Sequence, residues 1–166
     1  MNPTEQAMRS VVEETFASLA FMFPVEPDTG AAAPQEPTVW AAVDFSGPFR
    51  GSLLLSASSG MLEPLATNML GLDEGISPSQ EQKQDAFREL INVICGNLLP
   101  VIASPREVFD VHEPRWLAGS DDAPAAGGLK ELGVVEVELD AGHVRLALFT
   151  QSPSAATSAS PREAHV

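Results

Sequence analysis

The period of the apolar positions changes several times along the chain, and each change predicts an element. From Thr4 to Phe23, Met8, Val11, Val12, Phe16, Leu19, Ala20 and Phe23 recur at helical spacing. Glu5, Arg9 and Glu13 fall opposite them, so an amphipathic helix is expected, ended by Pro24. Pro27 to Pro37 is rich in Pro, Ala and Gly and is expected to be a loop. Thr38 to Ser46 and Phe49 to Ala57 form a predicted hairpin around Gly47-Pro48. A short helix is expected from Ser58 or Ser59 to Leu70, with Pro64 in its early turns and Gly71 as its stop. Ser77, Pro78 and Gln80 have the layout of an N-cap, a proline at the first helical position and a capping partner. They predict a long helix from Pro78 to Leu99, kinked or ended at Pro100.

Beyond it, Val108, Phe109 and Val111 favour a strand within Glu107 to Trp116, and Gly119 to Gly128 has loop composition. Val135, Val137 and Leu139 alternate with Glu136 and Glu138. After a turn at Asp140 to Gly142, Val144, Leu146 and Leu148 continue the apolar face and complete a second hairpin. Ser152 to Val166 has too little to bury and is expected to be a disordered tail. Residues 1–151 are therefore expected to form a single α/β (α+β) domain of two layers, an antiparallel sheet of hairpins packed against long helices.

Composition narrows the function. The 166 residues are 44% apolar, enough for one real core. Nine Lys and Arg against 23 Asp and Glu give a formal charge of −14, which argues against nucleic acid or an anionic membrane surface as partner. A basic protein face is favoured instead. No apolar run approaches the roughly 20 residues of a membrane span, and Met1 to Arg9 does not read as a secretory signal, so a cytoplasmic location is expected. The single Cys95 has no partner for a disulfide, and three scattered histidines have no metal-ligand spacing. Cys95 reads as a packed small residue.

The long helix carries the candidate chemistry. At about 100° per residue, Phe87, Leu90, Ile91, Ile94, Leu98 and Val101 gather on a core side, and Asp85, Glu89, Asn92, Val93 and Gly96 fall opposite. Asn and Gly are poor choices for an exposed helix position. Either Gly96 clears space beside Asn92 for another surface, or it packs on a neighbouring helix and Asn92 is incidental.

Asp85-Ala86-Phe87-Arg88-Glu89-Leu90-Ile91-Asn92 resembles the Asp/Ser-x3-Glu-x2-Asn signature of the CheX, CheC and FliY phosphatases. That signature includes a downstream proline, and Pro114 stands at the family's spacing from Asn92. Asn92 to Asn97, Phe49 to Leu55 and Asn68 to Gly71 also resemble the family pattern, so the similarity spans Thr4 to Thr150. The resemblance implies a phosphatase acting on the aspartyl phosphate of a CheY-like response-regulator receiver. It implies no cofactor of the chain's own, the magnesium ion being the receiver's. Asn92 would orient the attacking water and Glu89 would pair with the receiver's lysine, with Asp85, Val93 and Gly96 as partner contacts. Glu14 is followed three residues on by Ala17 rather than Asn, so one site is expected, as in the CheX-like branch, and with it a homodimer joined through the sheets. The competing reading is a non-catalytic receiver-binding or flagellar-switch adaptor of the same fold. A purely structural dimeric domain is the third.

Overall fold

The computed structural model describes residues 1–26, 38–117 and 128–151. The expected loops over 27–37 and 119–127 and the expected tail over 152–166 lie outside the described residues. Helix α1 (Pro3–Ala20) starts at Asn2, whose side chain accepts the Glu5 N–H while the Glu5 carboxylate faces the Asn2 N–H, a reciprocal capping box. It ends three residues earlier than its apolar pattern suggests. Phe21 turns left-handed with φ 56°, the Met22 N–H closes on the Phe16 carbonyl, and Met22 is thereby carried into the core.

Strands β1 (Thr38–Ser46) and β2 (Gly51–Ser58) form the first hairpin. The second strand begins two residues late because the connection needs four residues, Gly47 to Arg50. Gly51 is required where it stands: a Cβ there would lie 2.3 Å from the Phe45 ring and 2.6 Å from the Phe149 carbonyl oxygen. A 3-10 turn (Ser59–Met61) leads into α2 (Leu62–Leu70), which stops at left-handed Gly71 as expected. Helix α3 (Gln80–Ile102) opens two residues later than predicted, because Ser79 and Gln82, rather than Ser77 and Gln80, form the capping box. Of the two outcomes left open at Pro100, a kink or an end, it does not end there: the helix runs through to Ile102.

Two short strands, β3 (Asp110–Val111) and β4 (Arg115–Leu117), replace the single strand expected over 107–116, and both pair with β1. The second hairpin is β5 (Leu129–Leu139) and β6 (Gly142–Gln151). All neighbours are antiparallel in the order β3-β1-β2-β6-β5, with β4 beside β3 on the β1 edge. Mixed helix and antiparallel sheet in two layers is the architecture expected from the sequence.

Alternation sorts the sheet into two faces. Ala41, Val43, Phe45, Leu53, Leu55, Val135, Val137, Val144, Leu146 and Leu148 meet the helices in one core with Phe16, Phe87, Leu90 and Ile94. The other face buries a smaller cluster of Ala42, Leu54, Leu117 and Ala147 under Trp40, Val134 and Phe149, and no helix residue belongs to it.

Side chains from α1 close part of the outer β5 edge. The Glu5 carboxylate accepts the Val134 N–H at 3.1 Å and Arg9 donates to the Glu136 carbonyl at 2.9 Å. Farther along, the Val25 N–H reaches the Glu138 carbonyl and the Asp140 N–H reaches that of Phe23, each at 2.9 Å. These bonds occupy groups that an edge strand would otherwise offer to another chain. The Val134 and Asn2 N–H groups hold the Glu5 carboxyl below its ordinary value.

On the same hairpin, His143 lies between two carboxylates, Nδ1 at 3.1 Å from Glu138 and Nε2 at 3.0 Å from Glu136. Burial opposes its protonation, but hydrogen bonds and charge from Glu136 and Glu138 outweigh it and raise the imidazole pKa. A raised folded-state pKa stabilises the fold fully below the ordinary value of about 6.5, and the gain is lost as pH rises through the higher folded value. His143→Gln should therefore be less stable than wild type in urea at pH 5.5, with the gap narrowing above pH 7. A gap independent of pH would show that the imidazolium contributes nothing.

Candidate functional site

The orientation of α3 follows from its apolar side. Phe87, Leu90, Ile91, Ile94 and Leu98 are all essentially inaccessible, with Cys95 and Leu99 beside them. Val101, expected with this group, is 60% exposed. It sits in the last turn of the helix.

Burying that side turns Asp85, Glu89, Asn92 and Gly96 outward on one strip. Glu89 and Gly96 are exposed, and Asn92 and Val93 are half-buried. Glu89 and Asn92 are three residues apart, a separation of about 4.5 Å along the axis at 1.5 Å per residue, so both heads can reach one partner surface. Among the described residues neither side chain has a hydrogen-bond or ion-pair partner. Asp85 differs: Arg88, one turn on, pairs with it, which ties that carboxylate to the helix itself.

Gly96 decides between the two explanations left by the sequence. A Cβ built there would meet nothing within 4 Å. Close packing on a neighbouring helix is excluded as its reason, and the space beside Asn92 is open. Pro100, one turn beyond Gly96 and also exposed, continues the strip. The sequence pattern treated this proline only as a kink or a stop, although its four-residue spacing from Gly96 could have marked it as part of the strip.

Pro114 is half-buried in the link between β3 and β4. Two residues on, Trp116 packs edge-to-face on Phe87 of α3, with ring centroids 5.9 Å apart. This contact holds the link beside the helix, on the turn that precedes Glu89.

Two reactive groups outside the strip are inert or occupied. Burial pushes the Cys95 thiol up to about 12, so it stays a protonated packing group. Both ring nitrogens of His143 are taken by glutamates. Among the described residues no group of His, Cys, Asp and Glu side chains is arranged to hold a metal ion, and no helix is long and apolar enough to cross a membrane. The strip thus presents an acceptor carboxylate and a donor-acceptor amide with no nucleophile, suited to positioning groups that belong to a partner.

Residues 39–134 match the family model described as "Chemotaxis phosphatase CheX". Among solved structures, the chemotaxis protein CheX of Desulfovibrio desulfuricans is 14% identical with a TM-score of 0.64, over 89% of this chain and 99% of that one. A CheC-like superfamily protein from Shewanella sp. PV-4 is 17% identical with a TM-score of 0.65, over 92% and 100%. The CheX–CheY–BeF3–Mg2+ complex of Borrelia burgdorferi matches at 15% identity and a TM-score of 0.59, over 89% and 97%. No curated protein matches the chain in sequence.

Because a Cβ at Gly96 would meet nothing among the described residues, Gly96→Ala should keep the fold and stabilise it by about 1 kcal/mol, the helix-propensity difference at an exposed position. Urea denaturation monitored by circular dichroism measures this, and a destabilised variant would contradict the open geometry.

Proposed function

The chain belongs to the CheX family of chemotaxis phosphatases, and on that premise we propose that it hydrolyses the aspartyl phosphate of a CheY-like receiver, with Asn92 and Glu89 as its working residues. The observation that carries this reading is the strip on α3: an amide and a carboxylate without partners among the described residues, beside a glycine at which a Cβ would meet none of them. A Borrelia relative of the same fold has a structure in complex with CheY, BeF3 and Mg2+, which supports a receiver as the partner.

In this reading the receiver supplies the acidic pocket and the magnesium ion. Asn92 enters that pocket and its carboxamide, offering both N–H and C=O, holds a water in line with phosphorus. The water oxygen forms the new bond to phosphorus as the bond from phosphorus to the aspartyl oxygen breaks. The carboxylate leaves with the electron pair, and the protons of the water pass to phosphate and solvent. An acyl phosphate is already activated, so alignment suffices and an uncharged amide can provide it. Glu89 pairs with the receiver's lysine in a charge-assisted bond that sets the docking angle. The formal charge of −14 favours approach to such a basic group. Asp85, tied to Arg88, borders the contact.

Asn92→Ala should lower assisted dephosphorylation by roughly 10²-fold, as removal of one positioned group does elsewhere. Glu89→Lys should chiefly raise the receiver concentration giving half-maximal rate. Both are read from the decay of a phosphorylated CheY-type receiver. Receiver binding with normal decay in the presence of wild-type protein would favour the non-catalytic adaptor.

The reading includes a homodimer. The bonds that close β5 between Val134 and Asp140 narrow where two sheets could join, leaving Leu129 to Gly133, the β3–β4 edge or the helix-free sheet face. Sedimentation equilibrium at micromolar concentration should give twice the monomer mass, and a single monomeric species would remove the dimer.

A further inference from the structure

Pro100 is an unexpected residue inside α3. Its nitrogen carries no hydrogen, so the ladder bond that residue 100 would donate to the carbonyl of residue 96 does not exist. The proline ring also crowds the carbonyl four residues before it, and that residue is Gly96, which tolerates the displacement better than any other. The helix nevertheless continues: the Ala103 N–H still closes on the Leu99 carbonyl at 3.0 Å, and the helical span reaches Ile102. The rung that residue 100 would supply is missing although the helical span goes on past it. It is missing on the face that carries Glu89 and Asn92.

Gly96 is exposed, has no side chain, and would meet nothing within 4 Å if it had one. A partner that reached Asn92 could therefore lie directly on the backbone at residue 96. Carbonyls in a helix point toward its C-terminus, so the freed oxygen lies beyond Asn92, on the side away from Glu89. Along the axis, Glu89, Asn92 and Gly96 are separated by about 4.5 Å and about 6 Å at 1.5 Å per residue. Three polar groups so spaced, an acidic head, an amide and a bare carbonyl, fix both the position and the rotation of a docked partner.

We infer that the Gly96 carbonyl oxygen, released from the helix ladder by Pro100, is a third docking contact for the receiver and accepts a hydrogen bond from one of its N–H or O–H groups. The inference rests on the receiver reading of the same strip. Pro100 is a positioning residue here: it touches no reacting atom and acts by keeping the Gly96 oxygen available. An alternative account makes Gly96 merely a relief for the proline ring, with no role in docking. The two accounts diverge once the missing rung is restored.

The test compares three residues at position 100. Pro100→Ala supplies an N–H that closes on the Gly96 oxygen. Replacement of Pro100 by lactic acid, introduced as an ester through nonsense suppression, leaves alanine's shape but no N–H. Decay of a CheY-type receiver phosphorylated with acetyl phosphate is followed at increasing receiver concentration, with Asn92→Ala assayed beside them and circular dichroism confirming the fold. Loss of one net hydrogen bond should raise the half-saturating receiver concentration about fivefold in Pro100→Ala while the maximal rate holds, and the ester should return it to the wild-type value. Binding of the same receiver loaded with beryllofluoride and Mg2+ should weaken in parallel. If Pro100→Ala docks as wild type while Asn92→Ala is slow, the carbonyl contact is wrong and the phosphatase reading stands. If the ester behaves like the alanine variant, the effect belongs to the ring and the inference is again overturned. If Asn92→Ala retains full activity, Asn92 is not the working amide, the strip is not the docking face, and the inference falls with it.

Discussion

Burial of one side of α3 is the constraint on which the rest of the molecule depends. Phe87, Leu90, Ile91, Ile94 and Leu98 have essentially no solvent access, and at about 2 kcal/mol for each side chain of this size their burial leaves the helix one rotational setting. The outward strip is the complement of that setting. Asp85, Glu89, Asn92 and Gly96 face solvent because the opposite residues cannot, and they hold that direction without bonds to the rest of the fold. Trp116 against Phe87 extends the same packing to the link carrying Pro114, so the core also brings the β3–β4 segment alongside the helix.

The sheet is arranged so that its polar groups are spoken for at one edge and its apolar surface is divided unevenly between its faces. Glu5 and Arg9, four residues apart on α1, reach two backbone groups of β5, and the chain after Phe21 meets a third at Glu138 and the Asp140 N–H just beyond the strand. Glu5 also completes the cap of its own helix, so one carboxylate couples the start of α1 to the edge of the sheet. The helix-free face keeps only small or short side chains at its centre, Ala42, Leu54 and Ala147, beneath Trp40 and Phe149. Its rim is charged, with Asp44 bonded to Ser52 and Arg115 on one side and the His143 pair of glutamates on the other.

Within the strip, the residues that serve helix stability least are those to which a docking role is proposed. Gly96 and Pro100 weaken the last turns of α3, and Asn92 is a mediocre helix former. The core contacts of the same helix are strong enough to hold it regular to Ile102. A helix stabilised by packing rather than by propensity can carry such residues on its free face.

Much of this was legible along the chain. Periodicity located both hairpins, both long helices and the outward register of Glu89 and Asn92, because alternation and helical spacing report directly which side of an element is buried. The motif around Asp85 to Asn97 led to the family that the match over residues 39–134 establishes. The errors lie where local patterns compete. Two serine caps stood two residues apart, and only the reciprocal bonds of Ser79 and Gln82 chose between them. Phe23 fitted the helical period, yet α1 ends at Ala20 so that Met22 can enter the core. Val101 kept the apolar period into the last turn, where it is left exposed. What the chain alone determined is which residues share a face, since that depends on neighbours a few positions away. What only the tertiary structure decided is what each face meets: empty space beside Gly96, glutamates around His143 and α1 side chains on β5, since such contacts depend on how whole elements are placed in space.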